Sequence, residues 1–282
     1  MRLNKIVYRS GFSLVEILVV IGIIGILVTL AMSGLTTAKA KSKSTRCVAN
    51  LRQLAAACHL YASDFADSMP PNSTTRHSGA TEDIPSWTAG MLDYSDSNTD
   101  NTNTFLVVNG YGSIGQYTKE PQLYRCPSDR SYVAPGGRKM PRVRSYSMNA
   151  YVGDSRDTYA AGPGKRFEKY SDFAVAGGAG IWMLIEEHED SIERNEFWRP
   201  FALPKANGWQ WQSVPAAPHA ESCNLAFSDA SVQTKRWRDA RTLIPVKRIR
   251  QKNFQPEKNV NPDVAWLEHR TSVLVPNKSK EK

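Results

Sequence analysis

No charged residue lies between Ile17 and Ala38, and no proline precedes Pro70. The first absence leaves 22 consecutive uncharged residues, mostly Ile, Leu, Val, Gly and Ala, where about 20 apolar residues suffice to cross a bilayer as a helix. The second removes the strongest helix breaker, so nothing stops a helix from continuing past the apolar run. Catalytic signatures are missing too: there is no Gly-x-Ser-x-Gly elbow, no His-Glu-x-x-His pair and no phosphate-binding loop. The His, Asp and Ser residues present are too scattered to argue a triad, so an enzyme is not expected. The net charge is +9, yet no RNA- or DNA-binding motif goes with it. Its cations gather at Lys39, Lys41, Lys43 and Arg46 beside the apolar run, and at 236–252. Beside a membrane such cations attract anionic headgroups, and nucleic acid is not an expected partner.

What the N-terminal stretch does contain is one acid, Glu16, at the head of the apolar run. A carboxylate in hydrocarbon costs several kcal/mol unless a cation neutralises it, which makes it a candidate functional residue. Beyond the run, Cys47, Leu51, Leu54, Cys58, Tyr61 and Phe65 recur at spacings of four and three, one apolar stripe on a helix. The spacing predicts a single helix over 12–65, roughly 80 Å long at 1.5 Å per residue. Its first half is apolar all round and its second half must lie on a sheet.

Gly11-Phe12-Ser13-Leu14-Val15-Glu16, behind a short basic leader with Arg2, Lys5 and Arg9, resembles the class III signal of type IV pilins and type II secretion pseudopilins. The resemblance implies that a membrane prepilin peptidase cuts between Gly11 and Phe12 and methylates the new amine of Phe12. It also implies that Glu16 pairs with the N-terminal ammonium of a neighbouring subunit during assembly. An ammonium and a carboxylate that both enter an apolar bundle stabilise each other better than lipid stabilises either. The rival is an ordinary secretory signal cleaved after Ala31-Met32-Ser33, which would leave Gly34 as the new N-terminus.

Four cysteines, Cys47, Cys58, Cys126 and Cys223, fall in a domain that the resemblance places outside the cytoplasm, where disulfides persist. Cys47 and Cys58 stand about 16 Å apart along a helix and cannot bond each other. A disulfide from either must reach Cys126 or Cys223, and free buried thiols remain the alternative. Residues 72–104 read as a polar surface excursion. Within it Asp96, Asn98 and Asp100 carry oxygens at positions one, three and five of an EF-hand-like loop, a candidate Ca2+ site without its twelfth-position acid. Asx caps in an ordinary loop are the alternative.

Phe105-Leu106-Val107-Val108-Asn109 reads as a strand. Behind it, 110–115 matches the dinucleotide fingerprint in letters only, because Pro121 arrives where a helix should run. Three blocks, Cys47-Val48-Ala49-Asn50-Leu51-Arg52-Gln53, Leu123-Tyr124-Arg125-Cys126-Pro127-Ser128-Asp129 and Arg144-Ser145-Tyr146-Ser147-Met148-Asn149, resemble recurring blocks of a large pseudopilin-like family. That family ends in His, nine residues, then Asp-Gly; here His219 and Asp229 match, and Ala230 replaces the glycine. Glycine would suit a positive φ turn, so alanine implies another turn type or tolerated strain. Leu225 and Phe227 alternate with polar residues and Val232 and Trp237 follow, a hairpin in which His219 and Asp229 are expected to meet and pin a loop. A metal site adding Glu186 or Glu187, from a strand at 181–185, is the less favoured alternative. The tail holds a short amphipathic turn at 261–267 and a charged, frayed end.

The expected fold is α+β and pilin-like: a cleaved leader (1–11), a long N-terminal helix (12–65, with about 14–37 in the membrane), a domain over 66–252 built on an antiparallel sheet with long loops, and an extension (253–282). The expected function is a structural subunit of a type II secretion pseudopilus or pilus-like fibre. It would span the inner membrane once, N-terminus cytoplasmic and domain periplasmic, before any assembly into a surface fibre. Its expected partners are the peptidase, sibling subunits, the inner-membrane assembly platform and the lipid bilayer. The alternative is a membrane-anchored periplasmic binding module, for carbohydrate, using Trp87, Trp198, Trp209 and Trp211.

Overall fold

The computed structural model describes residues 13–73, 85–109, 113–154, 164–176, 180–194, 196–197, 201–203, 208–250 and 261–273. Gly11 and Phe12 lie outside the described residues, as do Trp198 and the side chain of Trp209. The chain divides into two compact units, Met1–Ser42 and Lys43–Lys282. Helix α1, Leu14–Asp64, runs through the expected span. In the first unit its apolar side chains are exposed, among them Leu14, Ile17, Val20, Ile24 and Leu27. Among the described residues no helix is long and apolar enough to cross a membrane. The side chains at 30–34, 36 and 37 fall outside them, so the expected 14–37 span is described only in part.

In the second unit the expected stripe of α1 is the face that packs. Cys47, Leu51, Leu54 and Cys58 are fully buried, with Ala55 and Ala62 alongside. Tyr61 is half-buried against the core, and Phe65, just past the end of α1, is exposed and stacks on Tyr61 with ring centroids 4.3 Å apart. The loop that follows holds Trp87 in the core and caps a 3-10 turn, Thr99–Asn101. The segment expected to be a strand at 105–109 is instead a short helix, α2, Thr104–Asn109. The Asn103 side chain accepts from the Phe105 N–H at 3.1 Å and starts the turn. With Val107 buried and Phe105 exposed, helical spacing overrides the strand preference of two adjacent valines. Helix α3, Gly115–Thr118, follows.

Tyr132–Val133 (β1) and Met140–Pro141 (β2) form a small hairpin. The main sheet has five strands: β3 (Tyr146–Asn149), β4 (Trp182–Glu186), β5 (Glu196–Phe197), β8 (Ser222–Phe227) and β9 (Val232–Arg236), in the order β5-β3-β4-β8-β9. Every pairing is antiparallel except the short edge strand β5, which runs parallel to β3. Between β5 and β8, β6 (Phe201–Leu203) and β7 (Gly208–Gln210) make a separate hairpin.

Both faces of the sheet are covered, which is why β4 is buried at every position. On one face Tyr146, Met148, Leu184 and Ala226 pack with the buried stripe of α1. On the other, Trp182, Ile185, Cys223, Leu225, Phe227 and Trp237 pack with Val264 and Leu267. These last two belong to α4, Pro262–Glu268, capped by Asn261. The tail was expected to be an extension beyond the domain, yet 261–273 docks on it. Asn149 Nδ2 donates to Thr271 O at 2.8 Å, and Trp182 Nε1 donates to Thr271 Oγ1 at 3.2 Å.

Candidate functional site

At the start of α1, Ser13 and Glu16 form a reciprocal cap: the Ser13 N–H donates to Glu16 Oε2 at 2.8 Å, and Ser13 Oγ accepts from the Val15 N–H at 3.4 Å. Sequence reasoning assigned Glu16 to a neighbouring subunit and missed this local role, although the Ser-x-x-Glu spacing signals it.

The second site is interior, and it gathers the three blocks singled out in the sequence. Asn50 Nδ2, on α1, donates to Arg125 O at 3.1 Å. The Cys126 N–H donates to Ser145 Oγ, whose hydroxyl donates to Asp129 Oδ2 at 2.5 Å. Cys47 of α1 is joined to Cys126 by a disulfide, with Cα atoms 5.3 Å apart. Cys58 and Cys223 are buried free thiols. Burial pushes Cys58 up to about 12, and Cys223 well above the usual thiol range.

His219 joins this cluster rather than meeting Asp229. Its Nε2 lies 3.0 Å from Glu186 Oε1 and 3.5 Å from Cys126 Sγ, and its Nδ1 faces Ser128 Oγ at 3.5 Å. The reason is strand geometry: His219 precedes β8 and Asp229 follows it, so the strand's length separates them. Asp229 instead accepts from the Ser231 N–H at 2.9 Å in the β8–β9 turn. Ala230 sits there with φ +62°, the left-handed conformation in which the resembled family has glycine. His219 is presented by a second turn, in which its N–H donates to Ser222 O at 3.3 Å. The central residues Ala220 and Glu221 also have positive φ, 51° and 63°. Nothing in Ala-Glu signals such a turn, so sequence alone did not place His219.

Glu186, at the end of β4, is buried; its Oε2 accepts from the Asn224 N–H at 2.7 Å. Cys47, Cys126, Glu186 and His219 thus converge, one ligand atom from each lying within 4.8 Å of the others. Among the described residues no other group of three or more His, Cys, Asp or Glu side chains does so. Neighbouring Glu187 faces elsewhere, accepting from Ser147 Oγ at 2.5 Å and Ser191 Oγ at 2.6 Å.

The family described as "protein of unknown function (DUF1559)" matches residues 36–178, half of the chain, and the prokaryotic N-terminal methylation motif matches residues 7–32. The chain belongs to this pilin-like family. No curated protein and no solved structure matches it. The α+β arrangement, an N-terminal helix packed on a largely antiparallel sheet, is the one such a pilin-like chain is expected to have.

Two other expectations meet the geometry differently. In the loop, the oxygens of Asp96, Asn98 and Asp100 serve separate backbone donors: the N–H groups of Ala134, Asp100 and Met91 respectively. In these contacts they act as caps and ties, the role that Asx caps have in an ordinary loop. Of the aromatics offered as a carbohydrate platform, Trp87 and Trp211 are buried. Indole faces inside a core cannot stack on a sugar, so those two are withdrawn from that role.

Proposed function

We propose that this pilin-like chain is a structural subunit, cut between Gly11 and Phe12 by a prepilin peptidase, methylated at Phe12 and assembled through its N-terminal helix into a type II secretion pseudopilus or a related fibre. The observation that carries this is the methylation motif over residues 7–32, a span that includes Gly11, Phe12 and Glu16. The exposed Leu, Ile and Val side chains of α1 between Leu14 and Val28 support it, because such a surface is stable only against lipid or sibling helices. Before assembly the chain is anchored in the inner membrane with its second unit in the periplasm, where the Cys47–Cys126 disulfide suits the compartment. It acts by assembly rather than catalysis, with the inner-membrane platform as its docking partner.

Co-expression with an active prepilin peptidase, followed by intact-mass measurement, tests the first step. The expected product begins at Phe12 and carries one added methyl group. A chain that keeps residues 1–11, or one that begins at Gly34, overturns it. Assembly is tested with Glu16→Gln, expected to be processed normally but lost from crosslinked multimers.

A further inference from the structure

We propose that Cys47, Cys126, His219 and Glu186 form a zinc site in the dithiol form of the chain, and that the disulfide and the ion are alternative occupants of one set of donors. The inference is independent of filament assembly. A structural disulfide needs no company, yet this one is joined by a histidine and a glutamate whose side chains are 4 % and 1 % exposed. The four donor atoms come from α1, the 126–129 loop, the end of β4 and the turn before β8, and all lie within 4.8 Å. Two thiolates on a tetrahedral ion, each at about 2.3 Å, stand roughly 3.8 Å apart, which fits inside that span.

The surroundings are those of a ligand set. Cys126 Sγ accepts the Ser128 N–H at 3.4 Å, a bond that stabilises a thiolate. Glu186 has Oε2 fixed by the Asn224 N–H, while Oε1, 3.0 Å from His219 Nε2, is the oxygen that faces the cluster. His219 has Ser128 Oγ at Nδ1 while Nε2 points at the cluster. Such outer bonds orient metal ligands in general. Two sulfurs, an imidazole and one carboxylate select zinc over calcium or magnesium, which take six or more oxygens.

Binding releases the two thiol protons to solvent. Exchange with an external disulfide reverses it. The two cysteine sulfurs give up two electrons and form the S–S bond, and the external S–S bond breaks. It takes those electrons and two protons from water and leaves as two thiols, while Zn2+ departs unchanged.

The test uses the full-length chain in detergent, reduced with a phosphine, stripped of metal and titrated with Co2+, then with Zn2+. The expected result is one equivalent of Co2+ with a thiolate-to-cobalt absorption band, displaced by one equivalent of Zn2+, and no band in the disulfide form. Cys126→Ser and His219→Gln should weaken binding at least about 100-fold, while Cys58→Ala retains it. If reduction alone loosens the fold, Zn2+ should restore the circular dichroism spectrum. A folded dithiol chain that binds no Co2+, a loosened one that Zn2+ fails to restore, or binding that survives Cys126→Ser each overturns the proposal.

Discussion

Glu186 holds His219 with one carboxylate oxygen, at 3.0 Å, and the backbone N–H of Asn224 with the other, at 2.7 Å. One buried side chain therefore ties the turn before β8 to the register of β4 against β8. Replacing it by alanine leaves the buried Asn224 N–H without its acceptor and His219 Nε2 with only its weak 3.5 Å contact to Cys126 Sγ. We expect Glu186→Ala to cost about 3–5 kcal/mol and Glu186→Gln distinctly less. Melting of the oxidised, metal-free chain checks this; equal losses would show that the carboxylate charge, not the filled volume or a neutral amide's hydrogen bonds, matters there.

Ala230 occupies a left-handed conformation at φ +62°, with its N–H donating to Phe227 O at 2.9 Å. Glycine adopts it without the Cβ penalty, so Ala230→Gly is expected to stabilise the chain by about 1 kcal/mol. The same change at Ala226, inside β8, should destabilise it instead. Paired melting curves of the two variants settle the sign.

The Cys47–Cys126 disulfide closes a sequence separation of 79 residues. On the chain-entropy account, its removal costs about 4 kcal/mol. The remaining thiols, Cys58 and Cys223, are both buried. In the oxidised chain a maleimide should label neither cysteine while native, both after denaturation, and all four after denaturation with reduction. Labelling of Cys126 without reductant in the oxidised chain would contradict the pairing.

Burial pushes the Glu189 carboxyl up to about 7, helped by the nearby charge of Asp129 and opposed by Arg142. The folded chain thus holds this proton more tightly than the unfolded chain does. Stability from this group is full below the ordinary carboxylate range and falls as pH rises through about 7, by up to a few kcal/mol. Glu189→Gln is expected to flatten the decline in melting temperature between pH 5 and 8. An unchanged slope would refute the assignment.

Much of this was legible in the chain because it depends on local pattern. The uncharged run, the 4-3 spacing of Cys47, Leu51, Leu54 and Cys58, and the alternation through Leu225 and Phe227 each report a periodicity that the backbone imposes. Strand identity at Phe105–Asn109 was misread because a short apolar run does not distinguish helix from strand. The Asn103 cap and the burial of Val107 decided it.

By itself the sequence determined the signal at Gly11 to Glu16, the buried stripe of α1 and the hairpin that ends the sheet, since each is set by neighbours within a few residues. Only the tertiary structure decided that Cys47 pairs with Cys126, that His219 goes to Glu186 rather than Asp229, and that α4 closes the second face. Those choices join residues tens of positions apart. They are settled by which side chains fill a shared interior and which buried polar atoms must find partners, conditions that no local spacing records.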